Sequence, residues 1–248
     1  MLRAPMSEPS REPEISVVVP AYNEAENLPI LLAELRAALP ATGRSWEIVL
    51  VDDGSTDGTA ERIQAEAAAD PRICPVRLAA NGGQSAALAA GFARARGRIL
   101  VTLDADLQND PADLPRLLAA LEQADVVSGI RANRQDSAVR LISSRIANGF
   151  RRWVLGDRVT DIGCSFKAYR REALEGLPMF VGVHRFLPAL CQFRGARLAE
   201  VRLSHRPRRL GVSKYGVGNR LWRGLHDLVG VHWLKSRLVR YRVRDDAR

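Results

Sequence analysis

The chain has 248 residues, 46% of them hydrophobic, and a formal net charge of +9, which fits one substantial α/β core with an appendage better than two full domains. Cys74, Cys164 and Cys191 lie far apart with no Cys-x-x-Cys pair and no neighbouring His; neither a zinc site nor a disulfide framework is suggested, and a reducing, cytosolic setting is expected. The first fourteen residues lack an apolar core of secretory length, and no later stretch reaches the roughly 18 to 20 apolar residues that span a bilayer, so the protein is expected to be soluble or peripheral.

Short β-branched runs recur in chain order as Ile15–Pro20, Trp46–Val51, Ile73–Leu78, Arg98–Leu103 and Ala124–Ile130. Helix-like stretches lie between them at Glu24–Leu39, Gly58–Ala69, Gln84–Ala95 and Pro111–Glu122. Strands that alternate with helices in this way predict right-handed βαβ units and an α/β fold with a mainly parallel central sheet. Beyond Arg131 the pattern changes to an Arg-rich amphipathic helix over 138–155 and a strand-like run over 163–169. A helix over 183–194, a strand over 197–204, a Pro/Gly/Arg loop and an amphipathic stretch over 217–239 follow.

The expected organisation is a disordered N-terminus over 1–13, a catalytic domain over 14–204 and a basic tail over 205–248. From Val201 to Arg248 there are 13 Lys/Arg against 3 Asp/Glu, whereas Met1 to Glu200 holds 24 against 25, so the positive excess sits in the tail. Such a split points to an anionic partner, nucleic acid or acidic lipid. A solvated basic face without any partner is the plain alternative.

In a parallel sheet, ligands collect beyond the carboxyl ends of the strands. After the first strand comes Pro20-Ala21-Tyr22-Asn23-Glu24, in place of the Gly-x-Gly-x-x-Gly turn of a dinucleotide site. Tyr22 offers a ring to flank a base and Glu24 an acceptor, although a plain strand-to-helix turn explains the segment as well. After the second strand, Asp52 and Asp53 can accept hydrogen bonds from a base or a ribose, and Asp57 can cap the next helix. After the fourth strand comes Asp104-Ala105-Asp106-Leu107-Gln108. Residues two apart on extended chain point the same way, so Asp104, Asp106 and Gln108 can present oxygens to one hard cation such as Mg²⁺ or Mn²⁺.

The segments PAYNEAENL, VDDGSTDGT, NGGQSAALAAGF, LDADLQNDP, VVSGIR and RPRRLGVSKYG, in this order and spacing, resemble family 2 glycosyltransferases of the dolichol-phosphate mannose synthase type. The resemblance covers about Ile15 to Asn219. It implies a GT-A, Rossmann-like fold and inverting, metal-dependent transfer of a sugar from a GDP- or UDP-sugar to a polyprenyl phosphate at the cytoplasmic face of a membrane. It places Pro20, Tyr22, Glu24, Val51 and Asp53 at the nucleoside and Asp104, Ala105, Asp106 and Gln108 at the metal and diphosphate. Arg131, Arg208 and Lys214 fall on the donor side, and Arg140 and Ser144 at the acceptor phosphate. Arg140 and Ser144, four apart, share a helix face, and an arginine fork suits a phosphate.

A hydroxyl acceptor usually needs a carboxylate base to take its proton, and the resemblance implies that hydroxyl-acceptor members carry an acidic residue downstream of the metal motif; the corresponding stretch here, Met179–Leu190, reads MFVGVHRFLPAL, without Asp or Glu. A phosphate monoester, with a second pKa of about 6, is already an ionised nucleophile. Asp161 resembles a family position near the sugar and stays open as a base. His184 is open between a sugar or acceptor contact and packing, with packing favoured. Two other readings remain: a soluble transferase acting on a glycan or protein hydroxyl, and a basic nucleic-acid-binding protein. The second is disfavoured because Trp222, Leu225, Leu228, Val229, Trp233 and Leu234 form an apolar stripe beside arginines, the pattern of an interfacial helix rather than a stacking surface. That helix is expected to meet an anionic membrane surface or a membrane-protein subunit.

Overall fold

The computed structural model describes residues 12–132, 138–207 and 218–239; within 138–145 and 218–223 it describes the backbone alone. Five runs of the sequence form strands: β1 (Ile15–Ala21), β2 (Trp46–Asp52), β3 (Ile73–Arg77), β4 (Ile99–Thr102) and β5 (Val126–Arg131). Two more, β6 (Lys167–Arg170) and β7 (Leu198–Leu203), complete a seven-stranded sheet in the order β3-β2-β1-β4-β6-β5-β7. All pairings are parallel except those of β6, which runs antiparallel between β4 and β5. The right-hand half of the sheet is therefore held to the left-hand half by one reversed strand.

The register brings the ends of β1, β2 and β3 level and ends β4 three residues short of them. Ala21 lies opposite Asp52, and Asp52 opposite Arg77, while Val18 lies opposite Thr102. The β1, β2 and β4 exits consequently open on the same edge.

Helices α1 (Leu28–Ala38), α2 (Thr59–Ala69), α3 (Gln84–Arg94) and α4 (Leu114–Leu121) follow the first four strands. The first starts four residues later than its periodicity predicts, because Pro29 sits at its opening turn and cannot lie in a helix interior. For the same reason α4 starts after a 3₁₀ turn over Pro111–Asp113, with Pro115 in its own first turn. The leucines of α1 and α4 bury against one face of the sheet with Val17, Val19, Leu50 and Val101. On the other face α3 packs onto Val18, Val49 and Val51. There Gly91 lets the helix approach closely: a Cβ at that position would lie 2.3 Å from Val18 Cγ1.

Past β5 the chain forms α5 (Ala138–Leu155), the single turn α6 (Arg171–Leu174), α7 (Leu187–Phe193) and α8 (Gly218–Arg237). The helix expected over 183–194 is split, with a 3₁₀ turn at Val183–Arg185 and α7 beginning beside Pro188. Val126, Leu155, Tyr169, Phe186, Leu187 and Leu190 form a separate core with Leu228 and Val231 of α8. Cys164 and Cys191 are buried thiols, pushed up by desolvation to about 11 and about 12.

The apolar stripe expected along α8 divides between two faces. Leu228 and Val231 are buried and Leu234 and Leu238 pack beside them, whereas Val229 and Trp233 are 70% and 60% exposed. Three- and four-residue spacing puts Leu225, Val229 and Trp233 on the outward face. The helix is anchored to α5 by Lys235 Nζ, which donates to Leu155 O, and by His232 Nδ1, 3.2 Å from Val154 O. Among the described residues, no helix is long and apolar enough to cross a membrane.

Candidate active site

Three loops at the level strand ends are laced together by short polar side chains. Asn23, in a left-handed conformation (φ 54°), takes a hydrogen bond from Thr56 N to its Oδ1 (2.8 Å) and donates its own N–H to Ser55 Oγ (2.9 Å). Glu24 N donates to Thr59 Oγ1 (2.9 Å). Asp57 accepts from Ala25 N, Thr59 N and Thr59 Oγ1 (3.2, 3.1 and 2.6 Å). These donors hold its carboxyl below the usual range against the desolvation that opposes them. The N-cap of α2 is Gly58; Asp57, one residue earlier, clasps the loop after β1, and Tyr22 and Glu24 are half-buried.

Asp53 joins the next pair of loops by accepting from Gly82 N (2.8 Å) and Asn81 Nδ2 (3.2 Å). Burial raises its pKa, opposed by the Gly82 and Gly83 amides and reinforced by Asp52. Asp52 accepts from Ser55 N (3.0 Å) and lies 3.4 Å from Arg77 Nε. Between them opens a cavity of about 340 Å³ lined by Gly54, Ser55, Arg77, Leu78 and Ala79. Pro20, in β1 opposite Val51, is half-buried, whereas the Val51 side chain is fully buried in the core under α3, so any part Val51 takes at a ligand goes through its backbone.

The paired aspartates follow β4. The ladder stops at Thr102, so Asp104 and Asp106 sit on a turn rather than on the extended chain their spacing suggests. The alternation survives nonetheless: Leu103, Ala105 and Leu107 are buried, and Asp104, Asp106 and Gln108 face outward. Leu107 keeps its side chain in the core by taking φ 61°, a left-handed conformation that costs a non-glycine residue of order 1 kcal/mol or more. Gln108 N donates to Asp106 Oδ1 (3.2 Å).

Asp104 keeps some exposed surface but is densely surrounded. Gln84 Nε2, at the start of α3, donates to its Oδ1 (2.7 Å). Its pKa is pushed up to about 6, first by desolvation and then by Asp106, with Ser165 and Lys167 pulling the other way and Glu24 adding to the rise. Ser165 is fixed by Thr102 Oγ1, which donates to its carbonyl (2.6 Å), and by Asn109 Nδ2, which donates to its Oγ (3.0 Å).

Two crowded carboxylates and a neighbouring amide oxygen form a donor set suited to a hard divalent cation, which would relieve their repulsion. No cluster of three His, Cys, Asp or Glu converges among the described residues.

Across the cleft, Arg131 grips Asp161 through Nε–Oδ2 and Nη2–Oδ1 contacts of 2.8 Å each. Gly163 N donates to the same carboxylate (3.1 Å), and a Cβ there would lie 2.5 Å from Arg131 Nη2. The open base candidate is thus bound on both oxygens by the arginine expected on the donor side.

His184 Nδ1 lies 2.9 Å from Ser85 Oγ, which also accepts from Gly182 N (3.0 Å). Burial pushes this imidazole down to about 3, so it stays neutral. Lys167, buried on β6, donates to His184 O (3.1 Å). Gln84, Ser85 and Lys167 were not singled out from the sequence; only the position of Gln84 and Ser85 at a helix start facing the strand ends hints at them. Arg140 and Ser144 lie four apart on α5, where the backbone alone is described, and Arg208 and Lys214 lie outside the described residues. The chain leading to Arg208 passes beside the aspartate loop, with Arg206 N donating to Gln108 O (2.8 Å).

This arrangement, a mostly parallel sheet with paired aspartates past its central strand and interlocked loops along one edge, is a GT-A-like glycosyltransferase architecture. It aligns with glucosyl-3-phosphoglycerate synthase from Mycobacterium tuberculosis in complex with Mn²⁺, uridine diphosphate and phosphoglyceric acid, at TM-score 0.68 and 23% identity, covering 92% of this chain and 80% of that one. A mannosyltransferase from Pyrobaculum calidifontis in complex with GDP-Man and Mn²⁺ aligns at TM-score 0.63 and 22% identity, over 94% of this chain and 67% of the other. The chain belongs to glycosyl transferase family 2, whose sequence pattern matches residues 16–177. Undecaprenyl-phosphate 4-deoxy-4-formamido-L-arabinose transferases of Salmonella paratyphi A and Salmonella enteritidis PT4 are each 41% identical to it over 218 residues. Those residues are 87% of this chain and 66% of each relative's length.

The electrostatics of Asp104 give a stability test. A carboxyl with a folded pKa of about 6 and an unfolded value of about 4 favours the protonated fold, so its contribution is lost as pH rises between those values. In metal-free buffer Asp104→Asn should therefore be more stable than wild type near neutrality by about 1 to 3 kcal/mol, the gap closing below pH about 4. Urea unfolding of both proteins across that range checks it; a gap that does not vary with pH contradicts the electrostatic account.

Proposed function

We propose that the protein catalyses inverting transfer of a sugar from a UDP- or GDP-sugar to a polyprenyl phosphate. The observation that carries this reading concerns the two candidate sources of a base weighed above. Met179–Leu190 contains no carboxylate, and Asp161 has both oxygens engaged by Arg131. A phosphate acceptor arrives ionised and needs no proton removed. The named activity of the Salmonella relatives, transfer to undecaprenyl phosphate, supports the same acceptor class.

In this reading the nucleoside lies along Pro20, Tyr22, Glu24, the Val51 backbone and Asp53, and the cavity beside Arg77 accommodates the base. Asp104, Asp106 and Gln108 hold Mg²⁺ or Mn²⁺, with Ala105 buried beneath the diphosphate. That ion supplies neutralisation of the charge growing on the leaving diphosphate. Arg131, fixed in orientation by Asp161, serves the donor side, and Arg208 and Lys214, which lie outside the described residues, are assigned to the same side from the sequence. Arg140 and Ser144 take the acceptor phosphate from one face of α5. Neutral His184 is kept from acting as a base by its low pKa and serves to pack the 180–186 segment.

Asp106→Asn should abolish transfer while the protein stays folded. Arg140→Ala should weaken use of polyprenyl phosphate at least about tenfold while nucleotide binding, read by calorimetry, is unchanged. Equal loss of both would break the assignment of Arg140 to the acceptor.

We also infer that α5 and α8 meet an anionic membrane surface. Ile146, Phe150 and Trp153 on α5, and Val229 and Trp233 on α8, leave large apolar side chains exposed, and the sequence over 201–248 is strongly basic. Basic residues near an anionic leaflet contribute about 1 kcal/mol each, over a distance of roughly 8 Å at physiological salt. Binding to anionic liposomes should weaken as salt rises and should fall further in Trp153→Ala/Trp233→Ala. Salt-insensitive binding, or none, would favour a membrane-protein subunit as the partner of these faces.

A further inference from the structure

The aspartate turn carries its backbone strain at one residue. Leu107, at φ 61°, stands between Asp106 and Gln108, two of the residues assigned to the metal, so relaxation of its backbone toward the ordinary region would turn Gln108 relative to Asp106. A left-handed non-glycine residue persists where the surrounding structure over-determines it. The buried Leu107 side chain and the Gln108 N–Asp106 Oδ1 bond supply part of that constraint from within the turn. The segment that follows β7 supplies more of it from outside.

After Leu203 the chain runs antiparallel along the far limb of the turn. Ser204 N donates to Asp113 Oδ2 (2.6 Å), His205 pairs with Asn109 in a single antiparallel bridge, and Arg206 N donates to Gln108 O (2.8 Å). Pro207 comes next, and a residue before proline is biased to extended backbone, the conformation this pairing uses. The Arg206 side chain then ties the same limb to a helix. Its Nη1 donates to both carboxylate oxygens of Glu34 on α1 (2.8 and 3.0 Å), and its Nη2 meets Asp110 Oδ2. Since α1 is fixed to the sheet by the fully buried Leu28, Leu31, Leu32 and Leu35, Arg206 straps a loop to a rigid element. The three side chains are each about one-quarter exposed, and a guanidinium fork on carboxylates that are partly shielded from water is stronger than a fully exposed pair. Without the guanidinium, Glu34 and Asp110 would lose the cation between them, and attraction between turn and helix would give way to repulsion.

We propose that Arg206 is a positioning residue for the metal site. It acts through the backbone of Gln108 and the side chain of Asp110, fixing the 108–110 limb against α1 so that Asp106 and Gln108 keep the spacing a hard cation requires. This rests on the assignment of Asp106 and Gln108 as metal ligands and adds to it a residue that acts through them.

Mn²⁺ binding to the full chain, followed by electron paramagnetic resonance with UDP and separately with GDP, tests it through Arg206→Met. Loss of a positive charge by itself would tighten the binding of a cation, and a strap that served stability alone would leave the affinity of the folded protein unchanged. Positioning instead predicts weaker binding, by about tenfold or more, the usual effect of removing a group that orients metal ligands. Glu34→Gln leaves Arg206 on Asp110 and breaks only the link to α1; it should weaken Mn²⁺ binding as well. The double variant should bind no more weakly than Arg206→Met alone, because the two residues act as one strap. Circular dichroism establishes which proteins are folded. Unchanged or tighter binding in folded Arg206→Met overturns the inference, and where that variant does not fold, unchanged binding in Glu34→Gln does so. A wild type that binds no Mn²⁺ with either nucleotide overturns it at an earlier step, because the ligand assignment itself has then failed.

Discussion

The enclosure of Asp104 beside Asp106 organises the structure around it. Two carboxylates stand at the end of a central strand; Asp104 is densely enclosed and resists ionisation, through burial first and the neighbouring Asp106 second, and several tethers hold it there. Gln84 reaches from α3 and Ser165 from the approach to β6. Leu107 accepts a left-handed backbone so that its side chain stays in the core while its polar neighbours face out. The reversed strand β6 gains a purpose in this light, since it is what carries Ser165 to the side of β4.

The second organising feature is the lacing of the loops. Asp57 and Asn23 join the first loop to the second, and Asp53 joins the second to the third. Carboxylates that invite a functional reading in isolation thus have structural work as well. Asp53 already accepts from Gly82 and Asn81, so a nucleoside would meet it through remaining lone pairs or by replacing the Asn81 contact. The edge is preorganised, and a ligand entering it has little loop ordering left to do.

Much of this was legible in the sequence. The β-branched runs mark five strands because strands of a parallel sheet are buried on both faces, and the aspartate motif marks the site because acids at strand ends have no packing role. What was illegible follows from tertiary context. Nothing in FKAYR says that its strand runs antiparallel, and Lys167 reads as a surface residue until the sheet closes over it. The extended-chain argument for Asp104 and Asp106 gave the right facing for the wrong backbone, since the ladder ends at Thr102. The α8 stripe looked continuous because both faces of the helix are apolar, and only packing separates Leu228 and Val231 from Val229 and Trp233. The arginine that engages Asp161 comes from 30 residues away, beyond the reach of any local pattern.

The central claim is that the acceptor attacks as a ready-made anion and that no side chain need take its proton. Purified protein, offered its donor sugar with either a polyprenyl phosphate or the corresponding free polyprenol, tests this most directly. The account predicts transfer to the phosphate and none to the alcohol. Transfer to the alcohol that disappears in Asp161→Asn would contradict it and make Asp161 the base.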